Sequence, residues 1–248
     1  TRLNSRREAL VLTLPEIGYF ELLISCFPVM LVAVIFYRWK ANSKELIIAT
    51  LRMVGQLIAI GFVLVYLFKE TSSWLGLLVM SVMLIAAGWI AMRPLENKSL
   101  HHIGQLALSL LIGCGSILAV IIVFVLDLSP WYQPRFVIPL AGMQLANTMN
   151  SLSLSGERFD TELKSGALLE TARNKAFYTA MIPQINGLLA VGLVALPGMM
   201  TGQILSGVRP LVAVRYQIVI MVAILCSSAF STAWYLMSRL RYELAKGD

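Results

Sequence analysis

Three groups of residues in this 248-residue chain have types and spacings that could do chemistry. The first is a polar face in an otherwise apolar stretch. Gln144, Asn147, Thr148, Asn150 and Ser151 follow Pro139-Leu140-Ala141-Gly142-Met143. At helical spacing Gln144, Asn147 and Ser151 share one face, and Met143, Asn147 and Asn150 share an overlapping one. Side-chain amides in hydrocarbon are costly unless hydrogen-bonded, so this face looks inward. It either binds helices together or lines a path with Gln184 and Asn186 farther along. The second group is the charged stretch 156–176, where Phe159, Leu163 and Ala167 recur at helical spacing between Glu157, Arg158, Glu162 and Lys164. This pattern predicts an amphipathic helix that lies on a bilayer or docks onto a soluble partner, bent or broken at Gly166.

The third group would be metal ligands, and it is sparse. Cys26, Cys114 and Cys226 stand singly, and His101-His102 point about 100° apart on a helix. Met143, Met149, Met199 and Met200 are packing material or transient contacts for metal or hydrophobic cargo, since thioether suits soft ions better than iron. Gln203 follows the last pair. Glu16 and Glu21 are interfacial acids or an attractor for cations. Arg52 and Gln56, one turn apart, read as structural, with Arg52 snorkelling to the surface. No nucleophile, base and acid come together, so covalent catalysis is not expected.

The elements that must position these groups follow from the charges. Only 13% of residues are charged, about half the ~25% of soluble domains, and 58% are hydrophobic. Seven stretches lack Asp, Glu, Lys and Arg: 22–37, 53–68, 71–92, 99–126, 136–156, 176–208 and 216–238. A spanning helix needs about 20 mostly apolar residues. The chain therefore reads as an all-α polytopic membrane protein, not a soluble, disordered or disulfide-scaffolded one. The expected spans are 17–37, 46–68, 74–92, 105–126, 137–154, 179–196 and 212–237 within one domain, 1–248. Residues 1–14 would form an interfacial segment. A barrel is excluded because its strands would be about 10 residues of alternating polarity.

Lys and Arg set the orientation. With the C-terminus in the cytoplasm, 12 of the 20 basic residues fall on inner loops and the tail and 6 outside, the other two being Arg52 and Arg215. The N-terminus is then outside. The net charge of +7 reflects inner-face residues meeting anionic lipid, and no nucleic-acid partner is implied.

The run 176–208 is too long for one ordinary span. Pro197 removes a backbone donor beside Gly198 and Gly202, so a helix from about 179 should stop near 196. Residues 197–210 would continue as a turn, short helix or re-entrant piece, either a plain connection or a gate.

These segments carry a family resemblance. Ile138-Pro139-Leu140-Ala141-Gly142-Met143 with Asn147-Thr148-Met149-Asn150 resembles the fifth-span signature of FetB-type ABC-transporter permeases. So do Ile182-Pro183-Gln184-Ile185-Asn186, Val191 to Ile204 and Val212 to Ile218. The match runs in fixed order over about 136–220, while the first 130 residues agree mainly in span pattern. The resemblance implies an inner-membrane permease working with a separate FetA-like ATPase that binds ATP and Mg²⁺. It also implies iron export, whereas plant relatives are linked to aluminium tolerance and nucleotide-sugar movement. In the family pattern Glu162 and Gly166-Ala167 correspond to the coupling segment. Gly166 to Pro183 is 17 residues here, about a turn shorter than in the bacterial iron exporters. The chain lacks the G-x-x-x-x-G-K-[ST] pattern that cradles ATP phosphates, so a partner would supply the energy.

The expected function is a permease subunit of a metal exporter, working as a homodimer with two ATPases. The candidate path is Met143, Gln144, Asn147, Met149, Asn150, Gln184, Asn186, Met199, Met200 and Gln203. The candidate coupling residues are Glu157, Arg158, Phe159, Glu162, Leu163, Gly166 and Ala167. Export of a nucleotide sugar or lipid-like molecule, or an ATP-independent seven-span receptor or scaffold, are the alternatives.

Overall fold

The computed structural model describes residues 17–67, 73–95 and 98–247. The interfacial segment expected over 1–14, together with Glu16, lies outside the described residues. The chain divides into two compact units, Thr1–Glu70 and Thr71–Asp248.

In the first unit, α1 (Tyr19–Arg38) and α2 (Ser43–Leu67) form a helical hairpin. Neither helix has a buried residue in its apolar window. Apolar helices exposed all round are suited to lipid or to other helices, not to water. Asn42 Oδ1 accepts from the Glu45 amide at 3.3 Å and so satisfies one of the free N–H groups at the start of α2.

The second unit packs α3 (Ser73–Met92), α4 (Leu100–Val120), α5 (Pro134–Lys164), α6 (Leu169–Ala190) and α8 (Pro210–Gly247), with the short α7 (Gly198–Leu205) against α8. The last turn of α4 widens into a π segment, Ile121–Val125. Ser99 caps α4 by accepting from the His102 amide, and Pro134 opens α5 at a position where no intrahelical donor is needed. The contacts fix the directions. Ser153 of α5 donates to the Ala91 carbonyl of α3 at 2.9 Å, and a Cβ at Gly142 would meet Met83. Gln144 meets Ser227, Thr148 meets Ser228 and Asp160 meets Arg239, so α5 and α8 run the same way. Helices α4 and α6 run opposite: His102 reaches Tyr235 while Gly113 lies against Ser227 and Ser231, and Arg173 lies by Met237 while Gly187 lies by Met221. One end of the unit thus gathers Arg93, Lys98, Arg158, Lys164, Arg173, Lys175, Arg239 and Arg241. The opposite end holds Asp127, Arg135 and Arg209.

Five helices are long and apolar enough to cross a membrane among the described residues: α1, α2, α3, α4 with its π segment, and α8. The expected fifth and sixth spans are helical but fall outside that set. Gln144, Asn147 and Asn150 dilute the apolarity of α5, and Glu170, Arg173 and Lys175 occupy the first turns of α6.

Two boundaries differ from the sequence expectation. The helix expected over 156–176, bent or broken at Gly166, is broken there into the ends of two helices. Helix α5 runs without a break from Pro134 to Lys164, the chain turns at 165–168, and α6 begins at Leu169. Gly166 makes the turn at φ +82°, its amide and that of Ala167 capping the carbonyls of Leu163 and Glu162. A left-handed residue after the last turn is the ordinary way to end a helix, and glycine adopts it without penalty. Helix α6 stops at Ala190, six residues before the expected 196. The chain folds over Val191–Ala195 before Pro197 and Gly198 start α7.

Candidate functional site

Helix α5 carries both candidate sites. Its 31 residues extend about 46 Å at 1.5 Å per residue, against about 30 Å of hydrocarbon. Its middle bears the amide face, and its last ten residues with the turn that follows bear the coupling candidates.

At the amide level the side chains divide between two situations. Gln144 is fully buried, and its Oε1 accepts from Ser227 Oγ of α8 at 3.0 Å. Thr148 pairs with Ser228 at 3.3 Å. Gln184 of α6 donates from Nε2 to Ser151 Oγ at 3.0 Å, and Ser151 reaches the Ala180 carbonyl at 3.4 Å. These bonds tie α5 to α6 and α8. By contrast, Asn147 is half-buried and bonds only its own helix, at the Met143 carbonyl, 2.9 Å away. Asn150 and Asn186 are exposed, and Met143, Met149, Met199, Met200 and Gln203 are half-buried. Met143 and Met199 pack on one cluster with Ile121, Leu140 and Ile220, while Met149 packs on the larger core around Leu106, Leu152 and Phe159. The expected path residues are therefore not brought together as one surface: Gln144 and Gln184 work as inter-helix bonds, and Asn150 and Asn186 face outward.

Several polar atoms on these elements are buried without a protein partner: Gln144 Nε2, Gln203 Oε1, Gln217 Oε1, Ser231 Oγ and Thr232 Oγ1. The stripe Ser227, Ser228, Ser231 and Thr232 on α8 is wholly buried. Sequence reasoning passed over it, although its i, i+1, i+4, i+5 spacing marks one helix face. The stripe lets helices approach closely. A Cβ at Gly113 of α4 would sit 2.7 Å from the Ser231 nitrogen and 2.9 Å from the Ser227 carbonyl oxygen.

At the charged end the coupling candidates are mostly internal. Phe159 is fully buried in the core. Asp160 accepts from Arg239 Nη2 at 2.7 Å, and the guanidinium also lies over the Phe159 ring, 5.5 Å from its centroid. Arg239 Nη1 is 3.4 Å from Tyr235 Oη and 3.3 Å from His102 Nε2, and that nitrogen is 2.7 Å from the same hydroxyl. A guanidinium only donates, so His102 accepts at Nε2, as a neutral ring protonated at Nδ1 does. This cluster joins α4, α5 and α8. Of its members the sequence reading weighed His102 as a metal ligand and Phe159 as a coupling residue, and passed over Asp160 and Tyr235. Arg239 had a signal of its own, being the first charge after the uncharged run 216–238.

Glu162 is buried and bridges Arg158 at 2.5 Å and Lys175 of α6 at 2.8 Å. The Lys175 hydrogen bond, with the Arg158 charge, holds its carboxyl below the usual range. A depressed carboxylate keeps its clasp above its unfolded pKa and loses it as pH falls through the folded one, so the clasp is intact at neutral pH. Leu163 and Ala167 are half-buried, Glu157 and Gly166 exposed. The apolar side chain standing clear at the turn is Leu168, 79% exposed. Among the described residues, no three His, Cys, Asp or Glu side chains gather as a metal site would require.

Comparison with known proteins agrees with the resemblance read from the sequence. The pattern of the Uncharacterised protein family (UPF0014) matches residues 19–169 and 166–242. The UPF0014 membrane protein slr1647 of Synechocystis is 35% identical over 217 residues, covering 81% of this chain and 84% of the relative. The Probable iron export permease protein FetB of Escherichia coli is 32% identical, covering 82% and 83%. The UPF0014 membrane protein STAR2 of rice is 33% identical, covering 82% and 75%. No solved structure matches. The chain belongs to the UPF0014 family of membrane proteins.

Proposed function

We propose that this UPF0014 chain is the transmembrane permease subunit of an ABC exporter, driven by a separate FetA-like subunit that binds ATP and Mg²⁺. The observation that carries this reading is the α5–α6 hairpin. Its tip presents an exposed Leu168 beside the Gly166 turn, and behind the tip stand the Glu162 clasp and the Arg239 cluster. An exposed leucine on a braced turn suits a groove on a soluble partner. The bracing passes a push on the tip into α4, α5 and α8 together.

In this reading α5 and α6 also cross the inner (plasma) membrane, making seven spans. They lie antiparallel to each other and alongside the apolar α3, α4 and α8, and their amides turn inward or toward a neighbouring chain. The charge-rich end is cytoplasmic by the positive-inside rule, which places the C-terminus inside and the N-terminus outside. Asn150 and Asn186 on open faces call for a second copy. Amides facing lipid are costly, and the exposed α6 stripe of Tyr178, Ile182, Ile185 and Leu189 offers an apolar surface beside Asn186 for that copy to cover. ATP-driven closure of the two ATPases would rock the hairpins and alternate access along Asn147, Asn150 and Asn186.

Iron or another metal is the cargo by kinship with the bacterial relative. A second reading, export of an organic molecule, is favoured by an apolar cavity of about 380 Å³ lined by α3, α4 and α5. The chain is to be purified with its candidate ATPase and hydrolysis measured against Fe(II), other metals and nucleotide sugars. A stable complex whose turnover rises with Fe(II) is expected. Absence of any complex overturns the permease reading, and a complex indifferent to iron overturns only the cargo. Leu168→Asp should weaken association with the ATPase about ten-fold, as loss of a hydrophobic anchor does, while the melting temperature stays put.

A further inference from the structure

Two clefts run down the surface of the second unit, one on each side of the α8 ridge formed by Ala233 and Met237. The first, about 440 Å³, lies between α4 and α8. Ile112, Phe230 and Trp234 line it, and Ser238 and Arg241 close it at the charged end. The second, about 420 Å³, lies between α6 and α8, with Phe177 as an apolar wall and Arg173 and Asn174 at the charged end. From Phe230 to Arg241 the α8 wall is about 16 Å long, the depth of one leaflet of a hydrocarbon core about 30 Å thick. Phe230, Trp234 and Met237 are exposed along it.

The two arginines are what a plain lipid-facing surface does not need. Arg173 gives Nε and Nη2 to Asn174 Oδ1 at 3.1 and 3.0 Å, while Nη1 points at the Met237 sulfur, 3.9 Å away. A thioether is a weak acceptor. Arg241 is exposed. Among the described residues neither arginine has a carboxylate partner, and the nearby Asp160 and Glu243 are taken by Arg239. Met237 and Arg241 are one turn apart, about 6 Å along the axis, so both cations stand at the head of the same ridge.

We propose that this ridge binds one anionic phospholipid, whose two acyl chains lie in the two clefts and whose phosphate sits between Arg173 and Arg241. The headgroup supplies the oxyanion that no side chain provides, and the guanidinium fork matches phosphate oxygens. A zwitterionic lipid brings the same chains but sets a cation beside its phosphate, so it binds more weakly. Basic pockets between helices at a membrane surface are the ordinary setting for such headgroups. The site requires only that the charged end lie at a membrane surface. It involves neither an ATPase nor a cargo, and it stands if either of those readings fails.

The test purifies the full chain in detergent with equimolar phosphatidylglycerol and phosphatidylcholine of the same chains. After a sizing column the retained lipid is extracted and counted by mass spectrometry. About one phosphatidylglycerol per chain is expected, preferred about thirty-fold over phosphatidylcholine, the worth of two basic contacts. Inorganic phosphate in the wash should not displace it. Arg173→Gln and Arg241→Gln should each lower the preference about five-fold, and together bring it near parity. Arg135→Gln with Arg209→Gln removes the same charge at the opposite end and should leave the preference unchanged. Ala233→Phe fills the ridge where both clefts meet and should release either lipid; Ala233 is exposed, so the fold tolerates the change. Retention of the two lipids in proportion to their supply, in the unmodified chain, overturns the proposal. So does an equal loss of preference in the opposite-end variant. A chain that elutes as a dimer without lipid assigns the ridge to a second copy, and displacement by inorganic phosphate assigns it to a free anion; either result also overturns it.

Discussion

At the charged end of the helical unit, Arg239 meets Asp160, Tyr235, His102 and Phe159, and Glu162 is held by two cations. Some sixteen residues back along α5, about 24 Å, Gln144 has one amide atom bonded and one free, and Ser231 and Thr232 beside it have no partner. Both regions are buried and polar, yet among the described residues the charged end leaves one buried atom unpaired, Arg158 Nε, and the middle leaves Gln144 Nε2, Ser231 Oγ and Thr232 Oγ1. A nearly saturated network holds helices in one arrangement, because any shift breaks several bonds at once. Unpaired groups do the reverse: they lower the cost of a different arrangement. The contrast assigns stiffness to the charged end and adaptability to the middle.

The strongest way to break the contrast is Arg239→Leu. It leaves Asp160 without its main partner, and a loss of about 3–5 kcal/mol is expected, read as a large fall in melting temperature in detergent. Replacing Asp160 and Arg239 together by leucine should recover much of it. If the single change is silent, the end is not a brace. Next, Gly113→Ala forces α4 away from the α8 backbone and should cost roughly 1–3 kcal/mol, with the serine stripe repacked. Within the middle, two glutamines should then differ in sign. Gln184→Leu removes a made bond and should cost about 0.6 kcal/mol. Gln144→Leu removes an unmet donor along with one bond and should leave melting near neutral or raised. Equal losses would remove the distinction between bonded and free amides. The smallest effect concerns pH. The clasp at Glu162 should loosen as pH falls into the acid range, and Lys175→Met should flatten that dependence without altering the neutral-pH fold. Hydrogen exchange at 162–170 reads it directly.

How much of this was visible in the residues varies by region. The uncharged runs located the helices because charge avoidance is a bulk property that no single contact can override. The inward amide face of α5 was also readable for Gln144 and Ser151, since the cost of a bare amide holds anywhere in a bundle. The continuity of α5 was not. Ser155-Gly156 looks like a helix end, but Gly156 is there for space: a Cβ would lie 2.7 Å from a Leu95 methyl and 2.8 Å from Tyr235 Oη. Both neighbours are remote in sequence. Gly166, ten residues on, does the terminating that Gly156 only suggests. The end of α6 was misplaced because Pro197 is the louder signal, whereas the chain already turns over Val191–Ala195, a stretch whose composition is that of a span. The Arg239 cluster depends on five residues from three helices, an arrangement that composition and periodicity do not encode.

The unbroken length of α5 has a mechanical consequence. Gln144 and the Gly166 turn sit on, or at the tip of, one rod with no hinge between them, separated by about 30 Å. If the tip is the handle and the braced cluster the fulcrum, the rod is a lever whose long arm ends at the amides. A tilt of about 10° swings that end by about 4 Å over the roughly 24 Å arm from Asp160 to Gln144, roughly the width of an alkyl chain. Small angular strokes at the charged end would thus arrive in the middle as displacements of molecular size, with no slack to lose them in.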